Sequence, residues 1–130
     1  MQQPTLTNKI WNRACMGENP GSAPGDSALE AMISFHGVAM NGGVLHATEC
    51  FTSEELEKAK ASYQYFDIVR IPELICAAQA LLQGGEDLDA HEEAFDQKYS
   101  EEIPDDVTLS KAFEAHYKRS PDSYAPIAEH

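Results

Sequence analysis

Residues 52–85, TSEELEKAKASYQYFDIVRIPELICAAQALLQGG, decide the fold class. Thr52 followed by Glu55 is a capping box, in which each side chain accepts a hydrogen bond from the other residue's backbone N–H at a helix start. The helix it opens is expected from Ser53 to about Asp67, burying Leu56, Ala59, Tyr63 and Phe66 at helical spacing. Pro72 suits the first turn of the next helix, where a missing N–H costs nothing. Leu74, Ile75, Ala78, Leu81 and Leu82 give that helix a wide apolar face, and Gly84-Gly85 stop it. It is the expected centre of the core, where Leu81→Ala should cost ~2–5 kcal/mol if the side chain is buried.

The same period extends in both directions. Upstream, Asp26 or Ser27 can cap a helix carrying Leu29, Met32, Ile33, His36 and Met40 on one face. Asn41-Gly42-Gly43 ends or sharply bends it, and Val44 to Phe51 continue as a short helix. Asn-Gly can also close a β-hairpin, but its flanks lack the alternation of strands. Residues 4–16 form a short helix anchored by Ile10 and Trp11. Gly17 to Gly25, with Pro20 and Pro24, read as a linker. The expected organisation is an N-terminal arm and linker over 1–25 and an acidic helical domain over 26–130. Downstream, an acidic helix runs from near Asp89 to near Ser100, and Pro104 with Asp105-Asp106 makes a turn. A last helix offers Val107, Leu109, Phe113 and Tyr117 to the core, Pro121 ends it, and Tyr124 and Ile127 can fold back. No segment reads as a strand. The fold class is all-α, a single-domain compact bundle of five to seven helices.

The 130 residues are 42% hydrophobic and 24% charged, with a net charge of −13. A chain this acidic, with no cluster of Lys and Arg, repels phosphate backbones, so direct nucleic-acid binding is not expected. Cys15, Cys50 and Cys76 are an odd, widely spaced set. They form no disulfide framework and fit a reducing cytoplasm. The N-terminus has no signal-peptide pattern, and no apolar run nears the ~20 residues that a membrane span needs.

Ten of the 22 acidic residues fall between Glu86 and Asp106, interrupted by one base, Lys98. At about 100° per residue, Leu88, His91, Phe95 and Tyr99 share one side of this helix, while Asp89, Glu92, Glu93 and Asp96 share a neighbouring side. Glu101, Glu102, Asp105 and Asp106 extend the anionic surface into the turn. Charge runs often do no more than keep a protein soluble. Arranged on a folded helix, these eight carboxylates are candidates for binding a basic partner.

Other chemistries have weaker footing. The carboxylates lack the twelve-residue calcium loop. His46, Glu49 and Cys50 share a helical face and are zinc-ligand types, but a small helix packing a Cys and a His accounts for them without a metal. Nothing pairs a particular cysteine with a histidine as nucleophile and base, and no phosphate-cradling glycine loop is present. The chain is therefore expected to be no enzyme and to need no metal or cofactor.

Three segments together carry a family resemblance: Asn41-Gly42-Gly43 after an apolar helix, residues 65–82 (YFDIVRIPELICAAQALL), and the acidic and closing helices from Leu88 to Ile127. Over roughly Asp26 to Ile127 the chain resembles the small all-helical family that includes a bacterial DNA-mimic protein. The resemblance implies a helical, often dimeric protein whose carboxylates imitate DNA phosphates and occupy the DNA-binding face of a regulator. The lead expectation is a non-enzymatic binder of a basic protein surface, such as that of a DNA-binding protein. The alternatives are a neutraliser of a toxin or nuclease, and a metal-dependent enzyme built on His46, Glu49 and Cys50.

Overall fold

The computed structural model describes residues 6–16, 23–85 and 87–125. They form seven α-helices: α1 (Leu6–Cys15), α2 (Pro24–Gly42), α3 (Val44–Cys50), α4 (Ser53–Tyr65), α5 (Arg70–Gly84), α6 (Asp89–Glu102) and α7 (Asp106–Arg119). A 3-10 turn, Pro121–Ser123, follows, and no strand occurs among the described residues. Most of the expected linker, and Ile127, lie outside the described residues.

The strongest local signals act as their chemistry requires. Glu55 N–H donates to Thr52 Oγ1 at 3.1 Å, and Thr52 N–H donates to Glu55 Oε1 at 2.9 Å, completing the box that starts α4. Gly43 turns the chain between α2 and α3 at φ 97°, a backbone region that side chains with a Cβ avoid. The end of α4 is a Schellman motif: Ile68 N–H reaches Tyr63 C=O at 2.8 Å and Asp67 N–H reaches Gln64 C=O at 3.0 Å. Its left-handed residue is Asp67, at φ 65°, whose carboxylate also meets Arg119 at 2.9 Å.

Asp26 does not cap α2. The helix begins two residues earlier, with Pro24 in its first turn and Ala23 as its cap. Asp26 lies fully buried instead. Its carboxylate accepts from Arg13 of α1 at 2.7 Å and from the Ala125 N–H at 2.7 Å. One buried charge pair thus joins α1, α2 and the C-terminal segment. Removing one partner alone would strand a buried charge and be strongly destabilising.

α2 is the central helix, packed mainly on α4 and flanked by α1 and α3. Leu29, Met32, Phe35, His36 and Ala39 are buried along it. Phe35 draws the inward stripe toward itself and leaves Met40, expected in the core, at the stripe's edge and 52% exposed. Around Phe35 stand Phe51 at 5.9 Å and Tyr63, edge-on, at 6.1 Å. Ile10 of α1 is buried, and Trp11 packs against Phe113 of α7. The four core positions expected of α4 are all buried.

Two further expectations change. On α5 the buried side chains are Ile71, Pro72, Leu74, Ile75 and Ala78, while Leu81 and Leu82 are half-buried where the helix runs out to Gly84. The cost of Leu81→Ala therefore falls below the range for a buried leucine, and Ile75 holds the core place. On α7, Leu109, Phe113 and His116 face inward. Val107 precedes Leu109 by two residues, about 200° around the helix, and is 52% exposed. Tyr124 does fold back, buried against Phe113 with ring centres 5.4 Å apart. The result is a compact all-helical single domain. No described helix is long and apolar enough to cross a membrane.

Candidate functional site

α6 is held by one face. Tyr99 is buried, and Leu88 and Phe95 pack partly buried against the core. Its other faces carry the carboxylates. Asp89, Glu92 and Glu93 are exposed, and no hydrogen bond or ion pair engages their carboxylates among the described residues. Asp89 and Glu92 lie in the first turn, where the helix dipole favours negative charge.

The other five predicted carboxylates have work inside the fold. Asp96 accepts from the Val44 N–H at 2.9 Å. It supplies from a distant helix the N-terminal cap that α3 lacks, because the residue before α3 is Gly43. A Cβ at Gly43 would sit 3.1 Å from the Asp96 carboxylate, so the glycine is needed for space as well as for φ. Glu101 accepts from Gln97 at 3.3 Å, and Glu102 meets Arg70 of α5 at 3.4 Å. Asp105 caps α7, accepting from Thr108 N–H at 3.2 Å. Asp106 accepts from His36 Nε2 at 2.6 Å.

That last contact opens a polar chain through the core. A carboxylate can only accept, so His36 Nε2 carries a proton. In the neutral ring Nδ1 then accepts from the Tyr99 hydroxyl, 2.7 Å away, and Tyr99 in turn accepts from Tyr63 at 2.7 Å. The chain runs from an exposed carboxylate on α7, through α2 and α6, to a fully buried hydroxyl on α4. Burial, with the neighbouring Tyr99, pushes the Tyr63 hydroxyl well above its ordinary pKa. Burial also raises Tyr99; the Tyr63 hydrogen bond offsets part of this and the Asp106 charge adds to it. Both phenols stay protonated and available as donors. The sequence placed His36, Tyr63 and Tyr99 on inward faces but gave no reason to join them. Three polar-tipped side chains on three apolar stripes were the available signal.

The cysteines are all free and exposed. His46 and Cys50 do meet on α3, with Cys50 Sγ 3.4 Å from His46 Nε2. Glu49 is not drawn in, and no group of three His, Cys, Asp or Glu side chains forms a metal-sized cluster among the described residues. A groove of about 610 Å³ lies between α2 and α4, floored by Phe35, Phe51 and Tyr65, and a cleft of about 620 Å³ lies beside α3. The chain matches no protein-family model, and neither a curated protein nor a solved structure matches it at a significant level.

Proposed function

We propose that the chain is a non-enzymatic acidic protein that binds a basic protein surface, acting as a DNA mimic toward a DNA-binding protein. The observation that carries the reading is the N-terminal half of α6. Asp89, Glu92 and Glu93 stand exposed, without internal cationic partners among the described residues, on a helix whose neighbouring face is anchored in the core. A row carried on a folded helix needs no backbone ordering when a cationic surface arrives, and complementary charge speeds encounter. From Asp89 to Asp96 the helix advances about 10 Å, against one charge per about 1.7 Å along duplex DNA. The row is thinner than a DNA backbone, and exposed Glu101 adds a negative charge further along α6. The net charge of −13 sets the same sign over the whole molecule.

The test is capture of partners on the immobilised chain, followed by elution with duplex DNA. A DNA-binding partner should be retained, displaced by duplex DNA, and lost from a variant carrying Asp89→Asn, Glu92→Gln and Glu93→Gln. Partners that DNA does not displace, or that the triple variant holds equally well, would refute the reading.

A further inference from the structure

We infer that Met16, Met40 and Val107, bracketed by the Asp96 and Asp106 carboxylates, form a docking surface for a basic amphipathic helix of a partner protein. Four large hydrophobic side chains are exposed among the described residues, and three of them gather here. Scattered exposed apolar residues are ordinary, so it is their gathering that calls for a partner. Asp106 bonds His36, and Met40 follows His36 by one turn on the same side of α2. Val107 is the residue after Asp106. Burial, with the nearby Asp106 charge, pushes the Cys15 thiol above its ordinary pKa, which places the end of α1 beside Asp106; Met16 is the next residue. The same approach of α1 to α7 brings Trp11 onto Phe113.

The charges select the occupant. Asp96 stands at the far end of the same stretch of α2, where a Cβ on Gly43 would lie 3.1 Å from its carboxylate. His36 and Gly43 are seven residues apart, about 10 Å along the helix. Met40 therefore sits between two carboxylates spaced like residues i and i+7 of a helix laid along α2. The fold fixes both carboxylates, Asp106 through His36 Nε2 at 2.6 Å and Asp96 through the Val44 N–H at 2.9 Å, and both residues are exposed. Neither forms an ion pair with a Lys or Arg among the described residues, so an arriving cation displaces no internal one. A helix with Lys or Arg at i and i+7 and an apolar residue at i+3 or i+4 would meet acid, methionine and acid in turn. Methionine suits the centre, because its unbranched, polarisable side chain adapts to differing apolar surfaces. The inference rests on the reading that the partner is basic, and adds the element it presents and the apolar contacts that supply specificity.

The experiment titrates the full chain into a fluorescein-labelled Leu/Lys peptide of about 18 residues, long enough to form a helix, with its leucines on one face. A second peptide has the same composition with the leucines spread evenly around the helix. Fluorescence anisotropy should show the patterned peptide binding about tenfold or more tighter than the spread one. Met16→Ser, Met40→Ser and Val107→Ser together should remove that preference and leave the affinity for the spread peptide unchanged. All three side chains are more than half exposed, and unchanged far-ultraviolet circular dichroism would confirm the fold. Asp89→Asn, Glu92→Gln and Glu93→Gln together should weaken both peptides by the same factor and keep the preference, because they act through charge alone. Equal binding of the two peptides to the wild-type chain, or a preference that survives the three serine substitutions, would overturn the inference. Either result would leave DNA mimicry standing, since displacement by duplex DNA decides that reading separately.

Discussion

Tyr99 holds its hydroxyl between His36 Nδ1 and the Tyr63 hydroxyl, each 2.7 Å away. Removing it by Tyr99→Phe leaves two buried polar groups without a partner, each costing about 1–3 kcal/mol. Tyr63→Phe removes only the end of the chain, since Tyr99 still donates to His36, and should cost about 1 kcal/mol. Urea titration of the two variants checks the order of the bonds, and equal losses would contradict it. His116 sets a different condition on stability. It lies buried beneath Tyr65, Phe66 and Tyr124, with Nδ1 2.9 Å from the Tyr124 hydroxyl. Burial lowers its pKa below the ordinary 6.5, Arg119 adds to this, and Asp67 opposes it. The unfolded chain therefore takes up this proton at a higher pH than the folded chain. Between the two values the unfolded state binds more protons, and stability falls as pH drops through the window. Above 6.5 the contribution is fully present, and below the folded value the loss is complete. His116→Asn removes the titration. The urea midpoints of wild type and variant should converge as the pH falls below 6.5, and a constant gap would exclude His116 as the cause.

At the scale of elements, the carboxylates of α6 separate into two kinds that composition cannot distinguish. Asp96 caps α3, so Asp96→Ala should cost ~0.5–2 kcal/mol, as the loss of a side-chain cap does. Glu93, exposed and flanked by Asp89 and Asp96 at helical spacing, is repelled by both, so Glu93→Gln should leave stability within about 0.5 kcal/mol or raise it. Thermal melts of the two variants decide the matter, and similar losses would remove the distinction. The contrast also marks how far the sequence reaches. Thr52 with Glu55, the Asn41-Gly42-Gly43 corner and the inward face of α4 are legible because each is closed within a few residues. The bonds that tie elements together span far more chain: 52 residues from Val44 to Asp96, 70 from His36 to Asp106, and 99 from Asp26 to Ala125. Period and propensity say which face a residue occupies, not which distant residue it meets. Asp26 looked like a cap because an Asp near a helix start usually is one; its burial depends on Arg13 and a segment at the other end of the chain. Asp67 was hidden for a related reason, since glycine is the usual signal for a left-handed helix end.

For the whole molecule, one excess of charge acts on stability and on binding in opposite senses. A net charge of −13 on a single domain opposes compaction by self-repulsion. Salt shortens the reach of that repulsion to about 10 Å at 0.1 M. The melting temperature should therefore rise with sodium chloride, a salt that screens charge without the strong exclusion effect of sulfate. Over the same range, affinity for a basic partner should fall, because screening weakens the attraction that brings the two surfaces together. Asp89→Asn, Glu92→Gln and Glu93→Gln together remove three negative charges that no internal cation offsets among the described residues. The triple variant gives up the favourable first-turn charges of Asp89 and Glu92 as well as the repulsion, so the sign of its melting shift is not diagnostic, but it should gain less from added salt than wild type while it loses affinity for the partner. Parallel salt series of melting temperature for the two proteins make the measurement. If their slopes coincide, the α6 row contributes nothing to the repulsion, and the case for its being poised toward an external cation goes with it.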